Sequence, residues 1–245
     1  MMEAQVIKEL ERLITENQKI EHDNQVFVPI GYMPLRWIDR PDPIHLSTLR
    51  SFVDFVDEVN RTTDNMLSNC AVLITDDLTV QLLSAPHVVD KKRTLLAEAK
   101  FDYKPYPFDR FLSSEEFAIL LQTRFVITDN AKGLIAITRK LQIEDGVELT
   151  DDGMAQKVTI KKGISAASMA NEVVPSFIKL APYRIFPECD QIETIFLLRL
   201  SGNKEDGANV GLFEADGGIW KVHAKEVIRK KLQDLNINSD IPVYC

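Results

Sequence analysis

The sequence predicts an α+β protein, in which a helix-rich N-terminal part packs with a mostly antiparallel C-terminal sheet covered by a terminal helix. Two observations carry this prediction. Before residue 141, apolar residues recur at three- and four-residue steps, which is typical of amphipathic helices. After residue 142, short β-branched and aliphatic segments are separated by glycine-containing turns, which is typical of strands. We therefore expect a helix-rich part with a small hairpin over 1–141 and a β-rich part with a closing helix over 142–245, or one continuous domain.

The elements of the first part follow from apolar stripes and caps. Aliphatic residues on both sides of Asp76-Asp77 predict a hairpin, and a short strand is expected over 26–30. The aromatic residues between 101 and 111 predict core packing. Helices are expected over 3–20, from a cap at Ser47 to Val59, over 90–100, from a capping box at Ser113 and Glu116 to Phe125, and from a cap at Asp129 to Leu141.

The elements of the second part are mostly strands. Strands are expected over 147–149, 157–160, 177–180, 192–200, 210–214 and 219–223, with an edge strand at Pro242. The small, polar segment 165–175 predicts a loop. Asp216-Gly217-Gly218 supplies the positive-φ residues of a tight hairpin, and residues 224–235 have the apolar stripe of a closing helix.

Composition excludes several classes of protein. The chain has 245 residues, is 45% hydrophobic and carries a formal charge of −8, which disfavours a surface made mainly for nucleic-acid phosphates. It begins without a signal-peptide pattern and has no run of membrane-spanning length, so a cytoplasmic location without a membrane partner is expected. The three cysteines are widely spaced, so we do not expect a disulfide framework. Cys70 is expected to be buried and Cys189 to be partly exposed.

The familiar catalytic and cofactor motifs are missing from the sequence. It contains no glycine-rich phosphate loop and no G-x-S-x-G nucleophile elbow. Its four histidines are not spaced as metal ligands. We therefore predict no catalytic residue, no metal ligand and no cofactor.

One pattern resembles the carboxylates and lysine of a metal-dependent nuclease. Asp42 follows a proline, and Glu98 and Lys100 have the E-x-K spacing that can hold Mg²⁺ and assist a water molecule. That chemistry needs the residues on adjacent strands, whereas 90–100 is predicted to be helical. Chance is the simpler explanation, and a site assembled from distant carboxylates remains a third alternative.

Two groups of basic residues are candidates for nucleic-acid binding. A positively charged groove beside aromatic residues can hold single-stranded DNA. Solvated faces of a strand and a helix explain the same residues more simply, and DNA is not favoured by the net charge. The candidates are Lys157, Lys161, Lys162, Arg229, Lys230 and Lys231.

Three residues are candidates for a protein interface. Arg184 and Arg199 are charges in apolar surroundings, and each must find a carboxylate or a partner. An internal ion pair is the simpler expectation for both. Trp37 is predicted to be a buried anchor, with an interface as the alternative.

Several segments resemble a known family. They are FDRFL at 108–112 followed by EEF at 115–117, and the course PYRIFPE (182–188), LLRL (197–200) and ADGG (215–218). In outline they are similar to the YfdQ-like family of phage and prophage early-region proteins, most clearly over 177–243. The resemblance implies a phage-encoded cytoplasmic protein of unknown activity, and it brings no catalytic residue.

The expected function is therefore that of an interaction protein. A phage early protein that forms a homo-oligomer, and that assists phage DNA metabolism or inhibits a host defence complex, fits the missing motifs and the acidic charge. A host or phage protein would be its further partner. The alternatives are a single-stranded DNA-binding or annealing protein and a metal-dependent nuclease.

Overall fold

The computed structural model describes part of the chain. Described are Arg12 and residues 20–22, 25–28, 33–34, 42–62, 67, 69–88, 90–143, 147–151, 155–161, 169–203, 207–238 and 240–245. Only the backbone is described for 20–22, 25–28, 33–34, 62, 140–143, 147–151, 155–161, 169–173, 202–203 and 207. Residues 1–42 and 43–245 form two compact units.

The helices and strands alternate irregularly along the chain. The first are β1 (Ile20–His22), β2 (Gln25–Val28), β3 (Met33–Pro34), β4 (Ile44–Leu46), α1 (Leu49–Thr62), β5 (Ala71–Ile74), β6 (Thr79–Leu83), β7 (Leu95–Lys100) and β8 (Phe111–Ser113). Then come α2 (Ser114–Arg124), α3 (Asp129–Ile143), β9 (Val147–Asp151), β10 (Ala155–Lys161), β11 (Met169–Pro175), β12 (Phe177–Leu180), β13 (Thr194–Asn203), β14 (Gly207–Glu214), α4 (Trp220–Asp234) and β15 (Val243–Tyr244). The α+β class is confirmed.

The first sheet of the larger unit has five strands in the order β15-β5-β6-β7-β4. β5, β6 and β7 are antiparallel, which confirms the predicted hairpin at Asp76-Asp77, while the outer strands β15 and β4 are parallel to their neighbours. One face of this sheet forms a core with α1 and α4. Phe52 and Val56 of α1 and Ala224 and Ile228 of α4 are buried there.

The second sheet has four antiparallel strands in the order β12-β13-β14-β8. Its core face packs with α2 and α3 around Phe117, Leu121, Phe196 and Leu212. The ring centroid of Tyr106 lies in this core 5.0 Å from that of Phe125, and Phe108 packs against the same core, which confirms core packing for these two residues of the aromatic segment. Two three-stranded antiparallel sheets, β1-β2-β3 and β9-β10-β11, complete the described strands.

Strands from both sides of residue 141 share these two sheets. β8 pairs with β14, and β15 pairs with β5. The predicted division into 1–141 and 142–245 stays a prediction. The predicted helix 3–20 and Trp37 lie outside the described residues, except for Arg12 and the backbone of Ile20.

Two predicted segments have another conformation. Residues 95–100, predicted to be helical, form β7, because pairing with β6 and β4 on both sides outweighs the helix preference of the sequence. Residues 169–175, predicted to be a loop, form β11, which pairs with β10 over seven residues.

The start of α4 corrects a third prediction. Gly217 and Gly218 do have positive φ, at 63° and 79°, but the turn leads into a helix and not into a hairpin strand. Asp216 Oδ1 accepts the N–H of Gly218 at 3.0 Å, which fixes the turn. Residues 219–223, predicted to be a strand, therefore belong to this turn and to the first turn of α4.

Two helices have caps other than those predicted. The hydroxyl of Thr48, and not that of Ser47, accepts the N–H of Ser51 at 3.1 Å. Likewise Thr128, and not Asp129, accepts the N–H of Ala131 at 3.3 Å. Each cap lies one residue from its predicted position, within the uncertainty of sequence-based helix ends. The predicted cap Ser113 is confirmed, since its hydroxyl accepts the N–H of Glu116.

Candidate functional site

The candidate site is the outer face of the four-stranded sheet, the face turned away from α2 and α3. Successive residues of a strand point to opposite sides of a sheet. Ile178, Phe196 and Leu212 point into the core, so their neighbours in sequence point outward. The outward residues include Phe177 of β12, Leu197 of β13 and Phe213 of β14.

Four apolar side chains form one line across this face. Phe177 lies opposite Leu197, and Leu197 lies opposite Phe213 in the strand register. The ring of Phe213 then meets the ring of Phe111 edge to face, with centroids 5.7 Å apart. We call Phe177, Leu197, Phe213 and Phe111 the apolar row.

A glycine allows the two rings at the end of the apolar row to meet. A Cβ on Gly211 would lie 2.8 Å from a ring carbon of Phe213 and 3.2 Å from one of Phe111. A larger residue at 211 would have to push both rings away from the sheet. The rings instead cover the backbone of Gly211, which is itself buried.

The outer face is partly exposed, with Leu197 and Phe213 half-buried in the middle of the row. Phe177 is 59% exposed, Phe111 48% and Ile195, next to the row, 41%. The solvated face of an antiparallel sheet ordinarily carries polar side chains that alternate with the apolar core residues. Contiguous exposed apolar residues are instead typical of interaction sites. The arrangement can therefore bury apolar surface against another protein surface.

Arg184 is 2% exposed, and its guanidinium lies over a ring from each of the two cores, Trp220 and Phe196. Its Nη1 donates to Glu214 Oε1 at 2.6 Å, and its Nη2 donates to Thr194 Oγ1 at 2.7 Å. The guanidinium carbon lies 3.7 Å from the centroid of the Trp220 ring, a cation–π contact. The prediction that Arg184 finds an internal carboxylate is confirmed. Its charge is used inside the molecule.

Burial changes the protonation equilibria around Arg184. It lowers the pKa of Arg184, and the nearby carboxylates of Glu214 and Asp216 oppose that change. Burial likewise raises the pKa of Tyr103 to about 12, and raises the pKa of the Asp77 carboxyl. Tyr103 and Asp77 thus lie near the Arg184–Glu214 ion pair.

Hydrogen bonds from one amide side chain and one carboxylate fix the connection from β12 to β13. Gln191 accepts the N–H groups of Arg184 and Ile185 and donates to the carbonyls of Phe186 and Cys189. Three residues before Gln191, the carboxylate of Glu188 accepts the N–H groups of Leu49 and Arg50, each at 2.9 Å. These N–H groups open α1, so the connection is anchored to a helix of the other core.

A groove runs beside the free edge of β12, next to the outer face. It has a volume of about 390 Å³ and lies between β12 and α3. Gly133, Leu134 and Ile137 of α3 line one side, and Phe177, Ile178 and Lys179 of β12 line the other. The side-chain amide of Asn130 donates to the carbonyl of Lys179 at 3.1 Å and joins the two sides at one end.

The predicted nucleic-acid residues are only partly described. Lys157 and Lys161 belong to β10, of which only the backbone is described, and Lys162 lies outside the described residues. Arg229, Lys230 and Lys231 lie on α4, where Arg229 Nη2 donates to Cys245 Sγ at 2.6 Å. Lys230 is exposed. The structure thus does not bring the two basic groups together into one described surface, and their role stays a prediction.

The remaining predicted residues have clear positions. Arg199 points to the outer face, opposite Gly211 in the strand register, and is partly buried. Cys70 is buried as predicted, whereas Cys189, predicted to be partly exposed, is buried too. Burial raises the pKa of the Cys189 thiol to about 12. Both thiols are therefore packing residues.

Two of the three residues of the nuclease-like pattern lie on a strand, and Asp42 does not. Glu98 and Lys100 lie on β7, next to β4, which begins two residues after Asp42. Glu98 instead accepts a hydrogen bond from Gln81 at 2.8 Å. Within the described ranges, no group of three or more His, Cys, Asp and Glu side chains could hold a metal ion.

Sequence reasoning missed the apolar row, although a signal for it was present. Ile195, Phe196, Leu197 and Leu198 form a continuous apolar run, where a strand with one solvated face would alternate. Such a run is typical of a strand covered on both faces. Within the described part of the chain, helices cover only one face of this strand.

The described residues contain no helix long and apolar enough to cross a membrane. Comparison with protein-family models, with curated proteins and with solved structures finds no match to this chain.

Proposed function

We propose that this protein works by binding other protein chains, and that it forms a homo-oligomer through the outer face of its four-stranded sheet. The apolar row is the observation that carries this proposal. Its centre, from Phe177 through Leu197 to Phe213, contains no charged side chain. Interfaces between identical subunits are more apolar, and poorer in charge at their centre, than those of transient complexes.

A second copy of the chain fits this surface. Two sheets pack face to face when the apolar side chains of both inner faces interdigitate. In a twofold-symmetric dimer the same patch serves both subunits, so a row that is apolar along its length is complementary to itself. A partner with charged side chains against the centre of the row would bury those charges against apolar side chains without water.

The wider role belongs to the same proposal. The resemblance of residues 177–243 to phage early-region proteins supports a phage-encoded protein in the host cytoplasm, one that assists phage DNA metabolism or inhibits a host defence complex. The oligomer would be the form that meets the host or phage partner.

Size-exclusion chromatography with light scattering tests the assembly. We expect the wild-type chain at micromolar concentration to have a mass that is a multiple of the 27.8 kDa of one subunit. The double variant Phe177→Ser with Ile195→Thr removes apolar area from the exposed part of the face. It is expected to elute with the mass of one subunit, because the self-complementary surface is lost.

A matched control separates this surface from exposed apolar residues in general. Ile119 is 54% exposed on α2, on the opposite side of the core. Ile119→Thr makes the same chemical change as Ile195→Thr and is expected to leave the mass unchanged. A wild-type chain that is monomeric under these conditions would contradict the proposal, as would a double variant with the wild-type mass.

A further inference from the structure

Helix α3 contains a glycine that its own packing does not need. Glycine in the interior of a helix is less favourable than alanine because it loses more backbone freedom on folding. A Cβ on Gly133 would have no heavy atom within 4 Å. The glycine therefore does not serve a close helix contact. What it does is widen the groove between α3 and β12, which it lines.

The opposite side of this groove is an open strand edge. Leu198 donates to the carbonyl of Ser176 at 2.7 Å, so by the alternation of antiparallel pairing the main chain of Phe177 and Lys179 points away from β13 and towards the groove. Asn130 already donates to the carbonyl of Lys179. Within the described part of the chain, the N–H and C=O of Phe177 and the N–H of Lys179 have no partner.

The groove has the length and the floor of a site for an extended chain. Leu134, Ile137, Ile178 and Leu198 give it an apolar lining. From Asn130 to Ile137 the helix rises by about 10 Å, at about 1.5 Å per residue. An extended chain rises by about 3.3 Å per residue, so about three to four residues fit beside the edge.

One charge beside the groove has no described counterpart. Asp129, which lines the groove, pairs with Lys132 at 3.0 Å. Lys179 has no ion pair within the described ranges. Its side chain lies on the outer face, in register with Phe177 two residues before it. An acidic side chain directly across from Lys179 would complement its charge.

We propose that this groove binds an extended segment of another protein, which adds to the sheet as a strand antiparallel to β12. The main-chain groups of Phe177 and Lys179 supply its hydrogen bonds, as in other cases of strand addition. Alternate side chains of the segment enter the apolar groove towards Gly133. The others lie on the outer face, with an acidic residue opposite Lys179 and an apolar one opposite Phe177.

A second copy of this chain does not suit the groove. The same edge of β12 in the copy is lined by its own α3 and tied by its own Asn130. Two such edges cannot pair without displacing both helices. This inference therefore goes beyond the proposed self-association, which uses the outer face, and does not depend on it.

Fluorescence anisotropy with a synthetic peptide tests the inference. The probe is a fluorescein-labelled peptide of sequence Val-Glu-Val-Leu-Val-Thr with an amidated end, whose Glu and Leu lie opposite Lys179 and Phe177 in the antiparallel register. We expect saturable binding to the full chain. Gly133→Leu, which fills the groove, is expected to raise the Kd of the probe by about tenfold or more.

Two further variants keep the test independent of folding. Gly133→Ala adds one methyl group to open space, so it is expected to raise the midpoint of urea unfolding and to keep binding close to wild type. Lys179→Glu is expected to weaken binding of the probe. A second probe, with Lys in place of Glu, is expected to bind this variant with recovered affinity. Such a recovery requires a folded groove.

Three results would overturn the inference. The first is the absence of saturable binding up to the solubility limit of the probe. The second is wild-type affinity in Gly133→Leu, and the third is a charge exchange at Lys179 that recovers nothing. Light scattering distinguishes the two proposals, since loss of the oligomer in Gly133→Leu would place a second copy in the groove and leave self-association standing.

Discussion

At the scale of single residues, the ion pair of Arg184 and Glu214 is unequal. Arg184 is 2% exposed, whereas the side chain of Glu214 is 32% exposed. Removing one partner of a buried pair is costly because the other charge stays buried without compensation. A charge that can reach water avoids most of that cost. The two partners should therefore not be equally sensitive to substitution.

We expect Glu214→Gln to destabilise the fold more than Arg184→Met. The first change leaves a buried guanidinium without its hydrogen-bonded counter-charge and should cost about 3 kcal/mol in the free energy of unfolding. The second leaves a carboxylate that can hydrate, keeps an apolar chain over Trp220, and should cost about 1 to 2 kcal/mol. Urea unfolding followed by circular dichroism measures both. Equal costs, or the reverse order, would show that the stacking of Arg184 dominates instead.

Local sequence signals were sufficient for some residues and not for others. The apolar surroundings of Arg184 predicted an internal carboxylate, because a charge there cannot stay uncompensated. The sequence could not show which carboxylate, since Glu214 lies thirty positions away at the end of β14. The exposure of Phe177 and Phe111 was equally hidden, because it depends on which face the helices cover.

At the scale of elements, the connection between β12 and β13 joins the two cores. Its Ile185 and Phe186 are buried in the core of the five-stranded sheet, whereas Phe196, early in β13, belongs to the other core. Glu188 in the same connection accepts the first N–H groups of α1. A carboxylate at this position satisfies donors that a helix leaves open and interacts favourably with the helix dipole.

Replacing this carboxylate should therefore loosen α1. Glu188→Ala is expected to cost about 1 to 2 kcal/mol, the usual range for loss of a helix cap. Amide hydrogen exchange should become faster at the start of α1, at Leu49 and Arg50. Glu193 lies exposed in the same connection, and Glu193→Ala serves as the matched control with little effect. Similar costs for the two variants would mean that Glu188 contributes only general surface charge.

The elements that the sequence mispredicted share one cause. Residues 95–100 read Leu-Leu-Ala-Glu-Ala-Lys, all good helix formers, yet they form β7 because strands lie on both sides. Trp220 begins a helix because its ring, with Ala224 and Ile228 at four-residue steps, is buried in the first core. Tertiary packing decided both, and a local pattern carries no information about it.

At the scale of the whole molecule, the charge of −8 opposes self-association, since like-charged subunits repel. Salt screens this repulsion while leaving apolar burial intact. We expect the oligomer to strengthen from about 0.05 M to about 0.5 M salt, as the Debye length falls below about 10 Å. Sedimentation or light scattering over this series measures it. The affinity of a single-stranded DNA-binding protein for DNA would instead fall over the same salt series.

The class of the fold could be predicted, but not its pairing. Alternation and apolar stripes identified the hairpin of β5 and β6, the helices α2 and α3, and most strands after 177. No local pattern could show that β8 pairs with β14 or that β15 pairs with β5, because these partners are far apart in the chain. The groove beside Gly133 and the apolar row both depend on such distant pairings.

The sheet order has a consequence for the order of synthesis. The first core combines Leu49, Phe52 and Val72 with Ile228, Leu232 and Ile241. This core cannot form until α4 and β15 have left the ribosome. Until then, the apolar faces of α1 and of β5 to β7 stay exposed to solvent. Contacts between such distant segments slow folding and prolong exposure to aggregation. A nascent chain stopped before residue 220 should therefore stay sensitive to protease in residues 49–100.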